Sequence, residues 1–315
     1  FSEAQGEVKK TLKILEFMSG EGRRFQGLTR YSEIPNTFCY TLRQPLGVVG
    51  LITPWNFPLS VPVWKIAPAL VAGNTVVLKP SPLTPATSVL IAEIFADIGL
   101  PKGVFNLVLG GAEVGEEIAL NPLVQAISFT GSNKVGMQLY QAGAKRGIRV
   151  QCEMGGKNPL VVMEDADIPL AVESALYGAY ASTGQRCTAT SRVIIMEEVA
   201  NSFVERLANQ MNILKIGNGL EPETGMGPCI SEQQLHKVLD YIQIGMEEDK
   251  ATLVKGGKRL TEGAYAKGYF VEPTLFDQVT PNMRLAQEEV FGPILSVIRV
   301  KSFDEALEVA NQSPY

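Results

Sequence analysis

The chain has 315 residues, 28 Lys and Arg against 33 Asp and Glu, a net charge of −5, and 45% hydrophobic against 19% charged residues. This length carries two domains with a large core and excludes a disulfide-stapled miniature fold, while the apolar share excludes a disordered chain. No basic run exceeds Lys145-Arg146, which argues against a nucleic-acid partner, and Pro, Gly, Asn or Lys interrupts every apolar stretch before the roughly 20 residues of a membrane span. Cys39, Cys152, Cys187 and Cys229 form no CxxC pair, and His236 is the sole histidine, so no metal site is expected and a reducing, cytoplasmic setting is. The start at Phe1, without Met or a signal pattern, reads as a cut from something longer.

In chain order, Glu7–Phe17 has a helical pattern and belongs to an N-terminal helical part over 1–29. Residues 30–45 alternate in the manner of a hairpin arm suited to oligomerisation, either a homodimer or a homotetramer. From Leu46 short β-branched runs alternate with helical patterns, the signature of βαβ units. Strands are expected at Gly47–Thr53, Thr75–Lys79, Val104–Leu109, Val124–Phe129 and Arg149–Glu153. Helices are expected at Ser60–Ala72, Pro85–Ile98, Glu113–Leu120 and Ser132–Ala144. The Gly155-Gly156 hinge then separates a domain over 46–154 from one over 155–315. The second domain is expected to carry strands at Leu160–Met163, Ser191–Met196, Thr252–Val254 and Phe270–Phe276, with helices at Pro169–Ser182, Glu198–Met211 and Ser231–Asp249. The fold class is α/β, a doubly wound parallel sheet followed by a second α/β domain.

Cys187 lies in STGQRCTATS, a polar loop between a helix and a strand, where Arg186 or local N–H groups would lower its pKa from about 8.5. That setting suits a nucleophile as well as it suits an inert cysteine; the other three cysteines read as inert. Glu153 ends an apolar strand, and burial would fit it for a base in a chain poor in histidine. A surface Glu capping a turn is the plainer reading of that residue alone. Asn56, in TPWNFP, is stiffened by Pro54 and Pro58, so its amide is either an oxyanion donor or a turn former. Two glycine-rich turns, Gly110–Gly115 with Gly111 and Gly115, and Thr130–Gly136 with Gly131 and Ser132, open helices whose N-termini would hold a pyrophosphate. Neither is GxGxxG, and Lys134 lacks the following Ser or Thr of a P-loop. Lys79 ends a strand where its ammonium would meet a ribose or phosphate, or simply solvent.

TPWNFP (Thr53–Pro58), LKPSPLTP (Leu78–Pro85), FTGS (Phe129–Ser132), EMGGKNP (Glu153–Pro159), GQRCTATSR (Gly184–Arg192) and EEVFGPIL (Glu288–Leu295) occur together in this order. From about Leu46 to Tyr315 the chain resembles the aldehyde dehydrogenase superfamily. The resemblance implies NAD- or NADP-dependent oxidation of an aldehyde substrate, with a cofactor domain at 46–154 and a catalytic domain at 155–315. Cys187 matches the nucleophile, Asn56 the oxyanion donor together with the Cys187 N–H, and Glu153 the base that activates water. Lys79 and Glu289 match ribose-binding positions, Ser132 a pyrophosphate contact, and Phe291 a residue beside the nicotinamide ribose. Ile52, Thr53, Pro54, Trp55, Ser81, Pro82, Gly111, Gly115, Phe129, Gly131 and Met154 complete the implied cofactor contacts.

Pro82 stands where many NAD-preferring members carry a Glu that repels a 2′-phosphate, which leans the expectation toward NADP. Around Cys187 and TPWNFP the sequence looks most like members that oxidise 2-oxoglutarate semialdehyde (2,5-dioxopentanoate). Trp64 replaces an Arg that some succinate-semialdehyde enzymes use for the substrate carboxylate. An acylating relative, using coenzyme A or phosphate, and a catalytically silent relative are the alternatives; retention of Glu153 counts against the coenzyme A acceptor. Relatives run longer at both ends, so the 315-residue stretch is expected to be truncated and poorly stable or inactive by itself.

Overall fold

A computed structural model describes residues 1–315, and the chain's contacts divide it into two units, Ser2–Met154 and Gly155–Tyr315, with Phe1 grouped in the latter. In the first unit α1 (Ser2–Glu21) precedes a two-stranded antiparallel ribbon of β1 (Thr29–Tyr31) and β2 (Phe38–Tyr40). The ribbon lies within the 30–45 arm apart from Thr29, and its Tyr31, Phe38 and Tyr40 rings are exposed. Next come β3 (Val48–Ile52), α2 (Ser60–Val71), β4 (Thr75–Lys79), α3 (Pro85–Asp97), β5 (Phe105–Leu107), α4 (Ala112–Leu120), β6 (Val124–Gly131), α5 (Asn133–Arg146) and β7 (Arg149–Met154).

These five strands form one parallel sheet in the order β5-β4-β3-β6-β7. The chain therefore winds outward from β3 in one direction and then returns to build the other half, which leaves a crevice at the C-terminal ends of β3 and β6. Alternation along β3 sends Val49 and Leu51 into a core with Val63, Ile66 and Ile91, and Ile52 into a core with Ile118, Ile127 and Phe129. Gly50 lets α4 approach: a Cβ there would stand 2.4 Å from Ile118 Cγ2. The carboxylate of Glu7 in α1 accepts hydrogen bonds from the Leu59 and Ser60 N–H groups, both at 2.8 Å, and so satisfies the start of α2 from a distant helix.

The second unit contains β8 (Pro159–Val162), α6 (Ile168–Tyr180), β9 (Arg192–Met196), α7 (Glu197–Met211), α8 (Glu232–Glu247), β10 (Thr252–Lys255), β11 (Thr274–Asp277), α9 (Arg284–Gln287), β12 (Ile294–Val300) and α10 (Phe303–Asn311). Its sheet order is β10-β11-β12-β9-β8, parallel except for the β10–β11 pair. Val193, Ile195 and Val297 face one core and Ile194, Ile298 and Val300 another, as expected of strands covered on both faces. The buried Arg192 guanidinium donates to the carbonyls of Lys157, Val309 and Ala310, tying α10 to the start of β8.

Two expectations shift. The strand placed at Phe270–Phe276 pairs only from Thr274, because Pro273 has no N–H to give the ladder; Val271 makes a lone bridge with Arg259. The helix expected to reach Ser182 ends at Tyr180, and Ala181–Gly184 form a separate tight turn.

Candidate active site

Cys187 follows that turn. Ser182, Thr183 and Gly184 take consecutive positive φ values of 53°, 59° and 66°, a run that costs the two side-chain-bearing residues energy and needs strong anchoring. Two anchors supply it: Thr183 Oγ1 donates to the Gly227 carbonyl at 2.9 Å, and the Gln185 side-chain carbonyl accepts from the Ile230 N–H at 2.9 Å. At Gly184 a Cβ would lie 2.3 Å from the Gly292 carbonyl oxygen, so only glycine fits. Beyond the turn Asn158 Nδ2 donates to the carbonyls of Cys187 (2.7 Å) and Ala189 (3.0 Å). The Cys187 thiol is exposed, whereas Cys39 and Cys152 are half-buried and burial pushes Cys229 up to about 12.

Arg186 turns its side chain to the last turn of α6. Its guanidinium donates to the Tyr177 and Gly178 carbonyls, both at 2.9 Å, and stacks over the Tyr177 ring, so its charge closes the end of α6. The same unit holds Glu289, whose carboxylate accepts from the Gly156 N–H. A Cβ on Gly155 would fall 1.8 Å from Glu289 Oε1, which explains why glycine precedes Gly156 there. Burial pushes the Glu289 carboxyl up, and Lys237, that N–H and Lys157 partly offset the effect. Lys157 is itself drawn down to about 7, chiefly by burial and then by the neighbouring Arg192 charge. Phe291 sits at φ 59°, held by the Gln234 amide, which donates to the Val290 and Phe291 carbonyls.

In the first unit Ile52 ends β3 and Thr53 follows it, Lys79 ends β4, and Phe129 and Gly131 lie in the last three residues of β6. Gly115 brings three of the expected residues together: a Cβ on it would touch Lys79 Cε at 3.6 Å and Ile52 Cδ1 at 3.9 Å. Lys79 Nζ donates to the Pro80 and Gly110 carbonyls, and burial lowers its pKa, partly countered by Glu113. Gly111 is the N-cap of α4 and Ser132 that of α5; Ser132 Oγ accepts from Val135 N–H at 3.4 Å. Gly131 leaves room for the Phe129 ring, and Met154 packs on Gly136. Ser81 is buried, its hydroxyl accepting from Leu83 N–H, while Pro82 is exposed in the turn before α3. Pro54, Trp55 and Asn56 lie half-buried in the turn between β3 and α2.

Thr53 Oγ1 is buried with no hydrogen-bond partner, at the mouth of the crevice between β3 and β6. An orphaned hydroxyl there, on a residue whose N–H donates to the Lys79 carbonyl at 3.1 Å, fits a polar ligand, and the helix N-termini of the same unit suit one that carries phosphate groups. Glu153 lies one residue before the end of β7, the edge strand, and is exposed rather than buried as expected. Its partner is instead Gln151, whose amide Nε2 donates to Glu153 Oε1 at 2.9 Å. Sequence reasoning misses Gln151 and Asn158, although both lie within five residues of Glu153, on the alternating face of β7 and at the start of β8.

Comparison with known proteins agrees with this arrangement. The chain is 47% identical over 310 residues to the alpha-ketoglutaric semialdehyde dehydrogenase of Bacillus subtilis, matching 98% of this chain and 63% of that protein. It is 46% identical to the 2,5-dioxopentanoate dehydrogenase of Saccharolobus solfataricus, with 98% and 64% covered. It thus spans a little under two thirds of the length of these relatives. A crystal structure of Staphylococcus aureus betaine aldehyde dehydrogenase in complex with NAD+ superposes with a TM-score of 0.98 at 36% identity, over 100% of this chain and 62% of that one. No helix is long and apolar enough to cross a membrane. Because the sequence model of the aldehyde dehydrogenase family matches residues 1–315, arm included, the chain belongs to that family.

Proposed function

We propose that the protein oxidises an aldehyde to its carboxylic acid with NAD or NADP as oxidant, and that its substrate is 2,5-dioxopentanoate. The observation that carries the reading is Cys187, the exposed thiol among four free cysteines, on a loop rigidified from several sides in a member of this family. The near-half identity to enzymes named for this semialdehyde supports the substrate.

In this mechanism the Cys187 thiolate adds to the aldehyde carbon, forming a C–S bond while the carbonyl π pair moves to oxygen. Asn56 and the Cys187 N–H donate to that oxyanion; one such donor is worth about 2.7–4 kcal/mol where the effect has been calibrated. A nicotinamide, when bound, supplies the acceptor for the hydride that must leave the tetrahedral carbon. Lys79, Ser81 and Glu289 would hold its riboses, and Ser132 with the α4 and α5 N-termini its pyrophosphate, with Ile52, Thr53, Pro54, Trp55, Phe129 and Phe291 alongside. Glu153 then takes a proton from water, whose oxygen attacks the thioester left on Cys187; the C–S bond breaks, the acid departs and the thiolate is restored.

With no carboxylate at Pro82 and a hydroxyl at Ser81, NADP is the favoured oxidant. The exposed aromatic ribbon, through Tyr31, Phe38 and Tyr40, is proposed to join subunits into a homodimer or homotetramer. Reduced-nicotinamide absorbance with 2,5-dioxopentanoate tests the whole: turnover that disappears in Cys187→Ser supports it. Formation of an acyl-coenzyme A product, or turnover surviving that substitution, refutes it.

A further inference from the structure

β6 and β7 run parallel, with Ser128 opposite Gln151 and Thr130 opposite Glu153. Side chains two residues apart on a strand share a face, so the Gln151 amide lies beside the Glu153 carboxylate. Three hydrogen bonds then run in one direction. Lys65 Nζ, buried on α2, donates to Ser128 Oγ at 2.8 Å; Ser128 Oγ donates to Gln151 Oε1 at 2.5 Å; Gln151 Nε2 donates to Glu153 Oε1 at 2.9 Å. Lys65 also donates to the Phe129 carbonyl at 3.2 Å and reaches Gln151 Oε1 at 3.4 Å. An ammonium has only donors, so the hydroxyl it faces must pass its own proton onward, and the amide must turn its oxygen to Ser128 and its nitrogen to Glu153.

The amide orientation is therefore set by charge rather than by chance. Glu153 stands exposed on an edge strand, where its side chain would otherwise sample several rotamers. We propose that Gln151, oriented by Ser128 and Lys65, is a positioning residue for thioester hydrolysis: it holds Oε1 of Glu153 and leaves Oε2 to receive the proton of water. This rests on Glu153 being the hydrolytic base.

p-Nitrophenyl acetate tests the proposal without cofactor or aldehyde. The Cys187 thiolate attacks the ester, the C–O bond breaks and nitrophenolate leaves in a burst; water then hydrolyses the acetyl thioester, giving its proton to Glu153. In Gln151→Met, of similar size but without the amide, the burst is expected to persist while steady-state turnover falls about 10- to 100-fold, the scale of a catalytic group misplaced by about 1 Å. Acetyl groups should then accumulate on the Cys187 peptide in mass spectra. Unchanged turnover, or burst and turnover falling together, overturns the proposal. Glu153→Gln is the control: if its thioester hydrolysis is as fast as wild type, the base assignment itself fails, and if it is blocked while Gln151→Met is normal, only the positioning role fails. Should Gln151→Met not fold, Ser128→Ala reads the same split, a slowed hydrolysis behind an intact burst supporting the proposal and a wild-type profile overturning it.

Discussion

The Asn158 side chain holds the backbone on both sides of Thr188, donating to the Cys187 carbonyl at 2.7 Å and to the Ala189 carbonyl at 3.0 Å. The backbone at Cys187 is thus clamped by a residue that precedes it in sequence by a whole helix. Asn158→Ala should leave the fold intact, at a cost of about 1–3 kcal/mol for two lost hydrogen bonds. Alkylation of Cys187 by iodoacetamide and kcat should both change, the latter falling up to about 100-fold. Unaltered values would show that the loop's left-handed turn holds Cys187 unaided.

Glu289 fills the space that any side chain at Gly155 would need. Gly155→Ala must push the carboxylate aside, and if Glu289 binds the nicotinamide ribose, KM for the cofactor should rise about tenfold with little change in thiol alkylation. Titration of cofactor binding by protein fluorescence checks this separately from turnover.

Lys157 is protonated less readily in the folded chain, at about 7 against the ordinary lysine value of 10.5. Between those values the unfolded chain binds the extra proton and the native one does not, so this group makes stability rise with pH across that window. Below about 7 both states are charged and the burial penalty is present in full. Lys157→Met should raise the melting temperature at about pH 6 more than at about pH 9, one value below that window and one inside it. Equal shifts at the two values, measured by calorimetry, would contradict the burial argument.

Pro82 is exposed in the turn before α3, so Glu fits there without entering the core. Pro82→Glu is expected to lower kcat/KM with NADP by about tenfold or more through repulsion of the 2′-phosphate, and to spare the value with NAD. Parallel initial-rate series with the two cofactors decide it.

Elements with local punctuation are legible in the sequence itself. The strand expected at Thr75–Lys79 is β4 with the same bounds, because Gly73-Asn74 and Pro80 bracket a β-branched run. The α3 start at Pro85 is equally plain. The turn at 181–184 is not, since Ser182 and Thr183 have no local preference for positive φ and are driven there by the Gly227 and Gly292 backbones. Motifs point to Cys187, Glu153 and Asn56 as types of group, but the partners of the first two depend on strand register and on residues a whole helix away. Arg186 is a case in point: its charge beside Cys187 in sequence suggests a thiol partner, and carbonyls at the end of α6 compete for it successfully. Nothing local announces that Gln151 will meet Ser128, because that pairing exists only once β7 has docked on β6.

The placement of β3 at the centre of its sheet has a consequence for the order of assembly. Ile52 pairs with Lys79 on one side and with Phe129 on the other, so the first half of the sheet can form from β3, β4 and β5 as soon as those strands are synthesised. The crevice has only one wall until the chain has been made through Gly131 and β6 has closed against β3, a slower and less local event. A chain ending before Val124 has the strands β3, β4 and β5 and the Gly110–Gly115 turn, but not the second wall of the crevice.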